Sequence, residues 1–349
     1  MRPSVAWNLE WATGTLGQTQ NLGSNGPAFE NRIFDLASLT KVIVTGTLLC
    51  LEASQKNDWT KLLAEPITTH LPELPADFKQ VTVRHLLEHS SGLEAHRFLF
   101  EPKRHTPEKR EDAWAVIVQQ ISQALKLGEL NNTLYSDLDF LLLGLRLERV
   151  GGASLDVLWN EAKEKLGLVQ SALSYKVEFR DFGRVAATEV RHARAEVNDD
   201  NAASLGGIAP HAGLFGTVLD VWAYLEALAK MAKKDRAFAQ WVERPAVVPG
   251  RFYLGWDTPE SVGGQVSQGG LGAPPETLGH LGYTGCALWW SPKILRAGLL
   301  FSNRVYPMHL ASSQALIKRL RQEFFTALWH NEDIGGNASW SQSIKDLRD

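Results

Sequence analysis

Residues 34–42 read FDLASLTKV. A strand-like opening runs into Ser38, and Lys41 follows three positions later. The stretch 39–54 is apolar nearly all round (Val42, Ile43, Val44, Leu48, Leu49, Leu51), which predicts a helix buried on most sides rather than one lying on a surface. At i, i+3 spacing Ser38 and Lys41 share a face, one turn apart. A serine hydroxyl is a poor nucleophile near neutral pH and needs a base. A lysine can be that base if desolvation lowers its pKa. The helix N-terminus also favours negative charge developing near Ser38. S-x-x-K arises by chance in many chains, with the serine as an N-cap and the lysine on a solvated face. The helix around Lys41 is too apolar to offer such a face.

Upstream, SVAWNLEWA (4–12) alternates loosely and reads as strand, punctuated by ATG and LGSNGP as turns. Downstream, helical spacing dominates from about 60 to 235. Trp114, Ile117, Val118, Ile121 and Leu125 fall on one face, as do Leu138, Leu141, Leu142 and Leu145, and again Val221, Trp222, Leu225 and Leu228. After about 245 glycine, proline and short apolar runs take over (FYLGW, CALWW, LRAGLLFS). CALWW and LRAGLLFS flank SPKI and predict an antiparallel hairpin, with Trp289 and Trp290 on alternate faces and one of the two in the core. A last amphipathic helix carries Leu316, Ile317, Leu320, Phe324 and Leu328. Strands thus open and close the chain and helices fill its middle. The simplest assembly is an α+β fold: an antiparallel sheet with flanking helices from residues 1–58 and 240–330, an inserted helical lobe over 59–239, and a loose polar tail over 331–349.

The whole-chain arithmetic agrees. At about 150 residues per domain, 349 residues make two lobes or one large lobe with an insertion. Apolar residues make up 44 % and charged residues 21 %, enough for a sizeable core and too ordered a mixture for wholesale disorder. With 36 basic and 39 acidic side chains the net charge is −3, which argues against a nucleic-acid binder or a polybasic membrane binder. Cys50 and Cys286 sit in apolar runs and read as buried thiols, not a disulfide framework. The longest apolar run, 42–51, falls short of the roughly 18 residues of a bilayer span. The N-terminus has no apolar leader, so a cytoplasmic location is expected if Met1 is the native start. Oligomeric state is left open.

Two further stretches carry chemistry. Tyr135-Ser136-Asp137 ends the loop NNTLYSD before the Leu138 helix. Ser136 or Asp137 suits an N-cap there, and the tyrosine can still point into a cleft. GHLGYTG (279–285) leads into the CALWW strand, and glycine on both sides of His280 allows close approach of a ligand to the backbone.

In the order S-x-x-K, Y-x-N-like, [KH]-x-G, the chain resembles the superfamily of serine β-lactamases, penicillin-binding proteins and family VIII esterases, in its class-C-like, peptidase S12-like branch. FDLASLTKV, VTVRHLLEHSSGL (81–93), YSDLDFLLLG (135–144), NDDNAASLGGIAPHAGLFGT (198–217) and FSNRVYP (301–307) all resemble stretches of that branch, from about residue 5 to about 325. The resemblance implies the β-lactamase/transpeptidase-like fold with its site between the lobes. It implies Ser38 as acylated nucleophile, Lys41 as a group that helps take its proton, and Tyr135 as general base and acid. The backbone amides of Ser38 and Tyr283 would form the oxyanion hole. His280 would hold a substrate carboxylate or tune Tyr135, and Asp137 would touch the acyl amide or Lys41. Leu281, Gly282 and Asn201 are candidate substrate contacts. No metal or organic cofactor is implied.

Three departures bear on substrate. His280 stands where many relatives have lysine, and a neutral imidazole binds a carboxylate less well than an ammonium. Leu281 stands where a hydroxyl usually helps, and Asp137 replaces the usual asparagine. Together they point away from an efficient β-lactamase and toward a small ester or amide without a carboxylate at that place, or one with a positive charge. An esterase or D-amino-acid peptidase is thus expected first, a DD-carboxypeptidase or true β-lactamase second, and a non-catalytic binding or sensor module third.

Other motifs read as structural. His85-Leu86-Leu87-Glu88-His89 fits H-x-x-E-H, with His96 or His105 as a third zinc ligand, but it coincides with a family segment where no metal is expected. Asp199-Asp200-Asn201 is the exception: it lacks the glycine and distal glutamate of a calcium loop, and the resemblance implies that it lines the active-site cleft. GGLGAPPETLG (269–279) lacks G-x-G-x-x-G and reads as a surface loop.

Overall fold

The computed structural model describes residues 7–26, 28–56, 59–101, 104–124, 127–245, 250–259, 267–332, 334 and 340. Leu125, residues 4–6 of the opening strand reading and most of the 331–349 tail lie outside them. Among the described residues nine strands form: β1 (Leu9–Thr15), β2 (Thr19–Ser24), β3 (Phe34–Asp35), β4 (Phe215–Gly216), β5 (Phe252–Tyr253), β6 (Trp256–Asp257), β7 (Leu278–Leu281), β8 (Ala287–Ser291) and β9 (Arg296–Ser302). Seven make one antiparallel sheet in the order β2-β1-β9-β8-β7-β6-β5, and β3 pairs with β4 apart from it. The sheet therefore draws on both ends of the chain, and the regular elements described between β3 and β5 are helices except for β4. The α+β class and antiparallel sheet match the sequence expectation.

The hairpin forms as read, with Ser291 opposite Arg296 across the SPKI turn. Both Trp289 and Trp290 are fully buried, because helices cover both faces of β8. Trp289 packs with Leu300 of β9 and with Phe324 and Leu328 of the Ala311–His330 helix, and Trp290 joins the larger core on the other face. That second face is covered by the Val218–Ala232 helix. Expecting only one of the pair in the core treated the sheet as one-sided. A second correction concerns ATG, which lies inside β1 rather than in a turn. Gly14 keeps φ +150 opposite Gln20, where a Cβ would meet the Thr19 carbonyl oxygen at 2.1 Å; glycine admits the strand, and the chain reverses at Leu16–Gln18 instead.

The helix after Ser38 is buried as predicted, but its first full turn is widened. Leu39 and Thr40 start it as α-helix, Lys41–Gly46 is π-helical and Thr47–Lys56 is α-helical again. Such turns are rare and often lie at functional sites. Here Gly46 lets the Trp241 ring in, where a Cβ would stand 2.5 Å from it. Cys50 and Cys286 are both buried and free. No helix among the described residues is long and apolar enough to cross a membrane.

Candidate active site

Ser38 is presented by a braced turn. β3 ends at Asp35, whose carboxylate accepts the amides of Ala37 at 2.8 Å and Asn198 at 2.7 Å. Ala37 takes φ +46, a left-handed conformation unusual for a residue with a side chain. The Thr40 hydroxyl donates to the Ala37 carbonyl at 2.6 Å and accepts the Leu214 amide at 3.2 Å, tying the turn to the strand beside it. The result is a half-buried serine at the helix entrance.

Lys41 is fully buried below it. Its Nζ donates to Ser38 Oγ at 3.1 Å, to Asp137 Oδ1 at 2.7 Å and to the His211 carbonyl at 3.4 Å. Tyr135 closes the group: its hydroxyl reaches both Lys41 and Ser38, and Lys41 Nζ lies 4.8 Å from its ring centroid. Ser136 is the N-cap of the Asp137–Gly151 helix, accepting the Leu138 and Asp139 amides, and it donates to the Glu94 carbonyl. That cap fixes the direction in which Tyr135 and Asp137 leave the loop.

The charges do not settle as the sequence suggested. Burial alone works to strip the proton from Lys41, but the Asp137 carboxylate, helped by Tyr135, outweighs it and lifts the lysine pKa above its ordinary value. Burial likewise opposes charge on Asp137, yet Lys41, with the His96 ring 3.1 Å from Oδ2, holds the carboxyl well below the usual range. Lys41 at rest is an ammonium, not a free amine. The Asp137 charge is matched by Lys41 and His96, so it does not call for a cationic substrate. Tyr135 is pushed up by burial, partly offset by Lys41, and rests as a neutral phenol.

The group opens into a cavity of about 650 Å³ that also admits His280, Leu281, Gly282 and Tyr283. The Ser38 and Tyr283 amides donate to no acceptor among the described residues. Gly282 sits where a Cβ would press the Leu36 carbonyl oxygen at 2.7 Å, so only glycine lets this turn close on the Ser38 loop.

A family model of the beta-lactamases matches residues 8–322. The chain belongs to the beta-lactamase family. Among curated relatives, N-acetylmuramyl-L-alanine amidase of Bacillus subtilis (strain 168) is 25 % identical over 304 residues, covering 78 % of this chain and 68 % of the relative. A proposed D-alanyl-D-alanine carboxypeptidase of Escherichia coli O157:H7 is 26 % identical over 313 residues, covering 78 % and 69 %. Among solved structures, a class C beta-lactamase superposes with TM-score 0.66 at 17 % identity, covering 93 % of this chain and 91 % of that one. A Mycobacterium bovis beta-lactamase does so with TM-score 0.56 at 19 % identity, covering 93 % and 94 %. The beta-lactamase family is one of serine hydrolases, and the fold of this chain is theirs.

Within this beta-lactamase-family site, two expected contacts change meaning. The His280 Nδ1 lies 3.0 Å from the Leu281 carbonyl oxygen, which can only accept, so Nδ1 carries the proton. Burial, aided by the Lys41 charge, pushes the His280 pKa down to about 3. Nε2 is then a bare acceptor, buried and without a partner, and it repels a carboxylate instead of holding one. Asn201 is not in the cavity wall. Its Oδ1 accepts the Leu99 amide at 3.0 Å and its Nδ2 donates to the Arg97 carbonyl at 2.7 Å, so it pins the 97–99 loop. Nearby Asp199 caps the Asp200–Ser204 helix and meets His211 Nε2 at 2.9 Å.

H-x-x-E-H also resolves. His85 completes a capping box with Thr82, and His89 is buried 2.9 Å from Asp139; the described residues hold no cluster able to bind a metal. Sequence reasoning passed over His96 as the partner of Asp137. It passed over the His89–Asp139 pair as well, whose imidazole packs 4.7 Å from the Tyr135 ring. Only the HSSG and YSDLD strings hinted at it, each within a quoted family segment.

Proposed function

We propose that this chain is a serine hydrolase of small esters or amides, working through an acyl-enzyme on Ser38, in a cleft between a sheet lobe (1–58 and 240–330) and a helical lobe (59–239). The observation that carries the reading is Lys41 Nζ, buried and bridging Ser38 Oγ and Asp137, with the Tyr135 hydroxyl reaching Lys41 and Ser38.

Ser38 Oγ attacks the substrate carbonyl carbon. As that bond forms, the serine proton passes to Tyr135 Oη, and Tyr135 passes its own proton to the leaving oxygen or nitrogen as the scissile bond breaks. Tyr135 starts and ends neutral, which suits a phenol whose ionisation burial opposes. Lys41 stays an ammonium throughout and stabilises the negative charge that appears between Ser38 and Tyr135. The Ser38 and Tyr283 amides receive the carbonyl oxygen as it becomes an oxyanion. Water then attacks the acyl carbon as its proton goes to Tyr135, the Tyr135 proton returns to Ser38 Oγ as the acyl–Oγ bond breaks, and the acid leaves.

The relatives named amidase and carboxypeptidase support amides and D-amino-acid peptides beside esters as the substrate class. The acceptor Nε2 of His280 and apolar Leu281 weigh against efficient β-lactam hydrolysis. The test is intact-protein mass after brief incubation with p-nitrophenyl acetate and, separately, a penicillin. An acyl adduct on the native chain that is absent from Ser38→Ala is the expected result, and ester hydrolysis that survives in Ser38→Ala overturns the assignment.

A further inference from the structure

Tyr135 is held from both sides by one residue. Its neighbours in the chain donate their amides to His89, Leu134 to the carbonyl at 2.8 Å and Ser136 to ring Nδ1 at 3.1 Å. The imidazole packs 4.7 Å from the Tyr135 ring and also meets Phe140 and Phe252. His89 follows the Val83–Leu87 helix and takes φ +52, a left-handed conformation that is costly for a residue with a side chain. Asp139 Oδ2 lies 2.9 Å from the same Nδ1, and both side chains are fully buried.

The hydrogens available fix where the proton of this pair sits. An amide nitrogen can only donate, so Nδ1 accepts from Ser136 and carries no hydrogen. A bare carboxylate oxygen would then face the lone pair of the ring at 2.9 Å, and the two repel. An Oδ2–H turns that contact into a hydrogen bond, with Nδ1 accepting from both donors. The other oxygen is already satisfied: Ser91 Oγ accepts the Leu93 amide at 3.0 Å and donates its hydrogen to Oδ1. Any hydrogen on Nδ1, whether of a neutral ring or an imidazolium, would instead be set against the Ser136 amide hydrogen.

We propose that Asp139 is a protonated carboxylic acid donating from Oδ2 to a neutral His89, and that this uncharged pair positions Tyr135 for its proton transfers. The electrostatics agree. Burial pushes the Asp139 carboxyl well above its ordinary range, outweighing the Ser91 hydrogen bond and the Lys41 charge. Burial, followed by the Lys41 charge, pushes His89 well below its own. The charged and titratable groups acting on the pair are Lys41 of the Ser38 helix, Asp137, Arg251 beside β5 and His280 of β7. Neutrality serves the reaction. Asp137 already balances Lys41, and an Asp139 carboxylate would add a second negative charge close to where Ser38 and Tyr135 must share one. His89 and Asp139 are positioning residues, for neither lines the Ser38 cavity. They fix the Tyr135 loop by hydrogen bonds and ring contact without a charge that opposes the developing anion. This assignment rests on the reading of Tyr135 as the proton carrier for Ser38.

The experiment pairs infrared spectroscopy with ester kinetics on the native chain, Asp139→Asn, Asp139→Leu and Ser38→Ala. The difference spectrum of native chain minus Asp139→Asn at pH 7 should show the carbonyl band of a protonated carboxylic acid. The paired bands of a carboxylate overturn the proposal. With p-nitrophenyl acetate, Asp139→Leu loses the donor to Nδ1 and should lower kcat about 10-fold or more at little changed KM, since a small misplacement of a reacting group can cost about 100-fold. Asp139→Asn offers an Nδ2–H to Nδ1 and a carbonyl to Ser91, the pattern of the neutral acid, and should restore kcat to within about 3-fold of native. An ionised aspartate that orients the ring demands the reverse, a fall of roughly 1,000-fold or more in Asp139→Asn, and that fall overturns the proposal. A folded Asp139→Leu with native kcat overturns the positioning role. If Asp139→Leu does not fold, the infrared band and the rate of Asp139→Asn decide. Ser38→Ala should keep the acid band while losing ester hydrolysis. Hydrolysis that survives there marks failure of the nucleophile assignment, whereas a carboxylate spectrum marks failure of the pair.

Discussion

Replacing Asp137 by asparagine preserves shape and removes one charge. Its Oδ1 lies 2.7 Å from Lys41 Nζ, with the lysine side chain 0 % and the aspartate 16 % exposed. At an effective dielectric near 20 that attraction is roughly 6 kcal/mol before either group's desolvation is counted. Removing one partner of a buried pair costs about 3–5 kcal/mol, because the other is left uncompensated. Urea denaturation of Asp137→Asn at pH 7 should show a loss of that size. The sign with pH follows from the two shifts. The carboxyl is held below its ordinary 3.8, so its contribution is present above that value and fades as pH falls toward the folded pKa. The lysine is raised above its ordinary 10.5, so its contribution is complete below that value and fades as pH climbs through the folded pKa. The deficit of the variant is therefore widest at neutral pH and narrows below about pH 4. Activity supplies the second readout. Without Asp137, burial is opposed only by Tyr135 and lowers the Lys41 pKa, so the ammonium is lost sooner and the alkaline limb of kcat/KM moves toward neutral. A stability change within about 1 kcal/mol at pH 7 refutes the pairing energetics. A variant rate that instead rises through the new inflection refutes the ammonium role and makes the free amine of Lys41 the base.

Three other substitutions probe the surrounding structure. His280 is neutral in the fold, with a pKa near 3 against an ordinary 6.5, so the unfolded chain takes up a proton first as pH drops; His280→Gln should lose about 2 kcal/mol less stability than the native chain between pH 7 and 5, read by denaturation at both. Gly282→Ala forces a Cβ against the Leu36 carbonyl oxygen, displaces the Tyr283 amide, and should lower kcat about 10-fold or more with little change in KM. Asn201→Ala removes two hydrogen bonds to the 97–99 loop and should cost about 2–3 kcal/mol in thermal or urea unfolding.

The pieces of the fold that sequence made legible are those set by local periodicity. The buried helix after Ser38, the β8–β9 hairpin and the stripe of the Ala311–His330 helix each follow from residues within one element. What escaped was set by partners distant in sequence. The two-residue strands β5 and β6 carry too few residues for a period, and they exist because Asp257 pairs with Gly279 of β7. Gly14 looked like a turn because glycine usually marks one, whereas here it relieves a clash across strands.

The candidate site divides along the same line. Ser38, Lys41, Tyr135 and Asp137 converge because two helix starts, at Leu39 and Asp137, aim them at one point, and caps and short spacings announce helix starts in sequence. Their protonation was not legible. Burial of Lys41 could be foreseen from the apolar helix, but whether desolvation or the Asp137 counter-charge prevails depends on a 2.7 Å contact across 96 residues. The same dependence reverses His280: its type allowed it to face a carboxylate, and one carbonyl at Leu281 fixes the proton on the wrong nitrogen for that task.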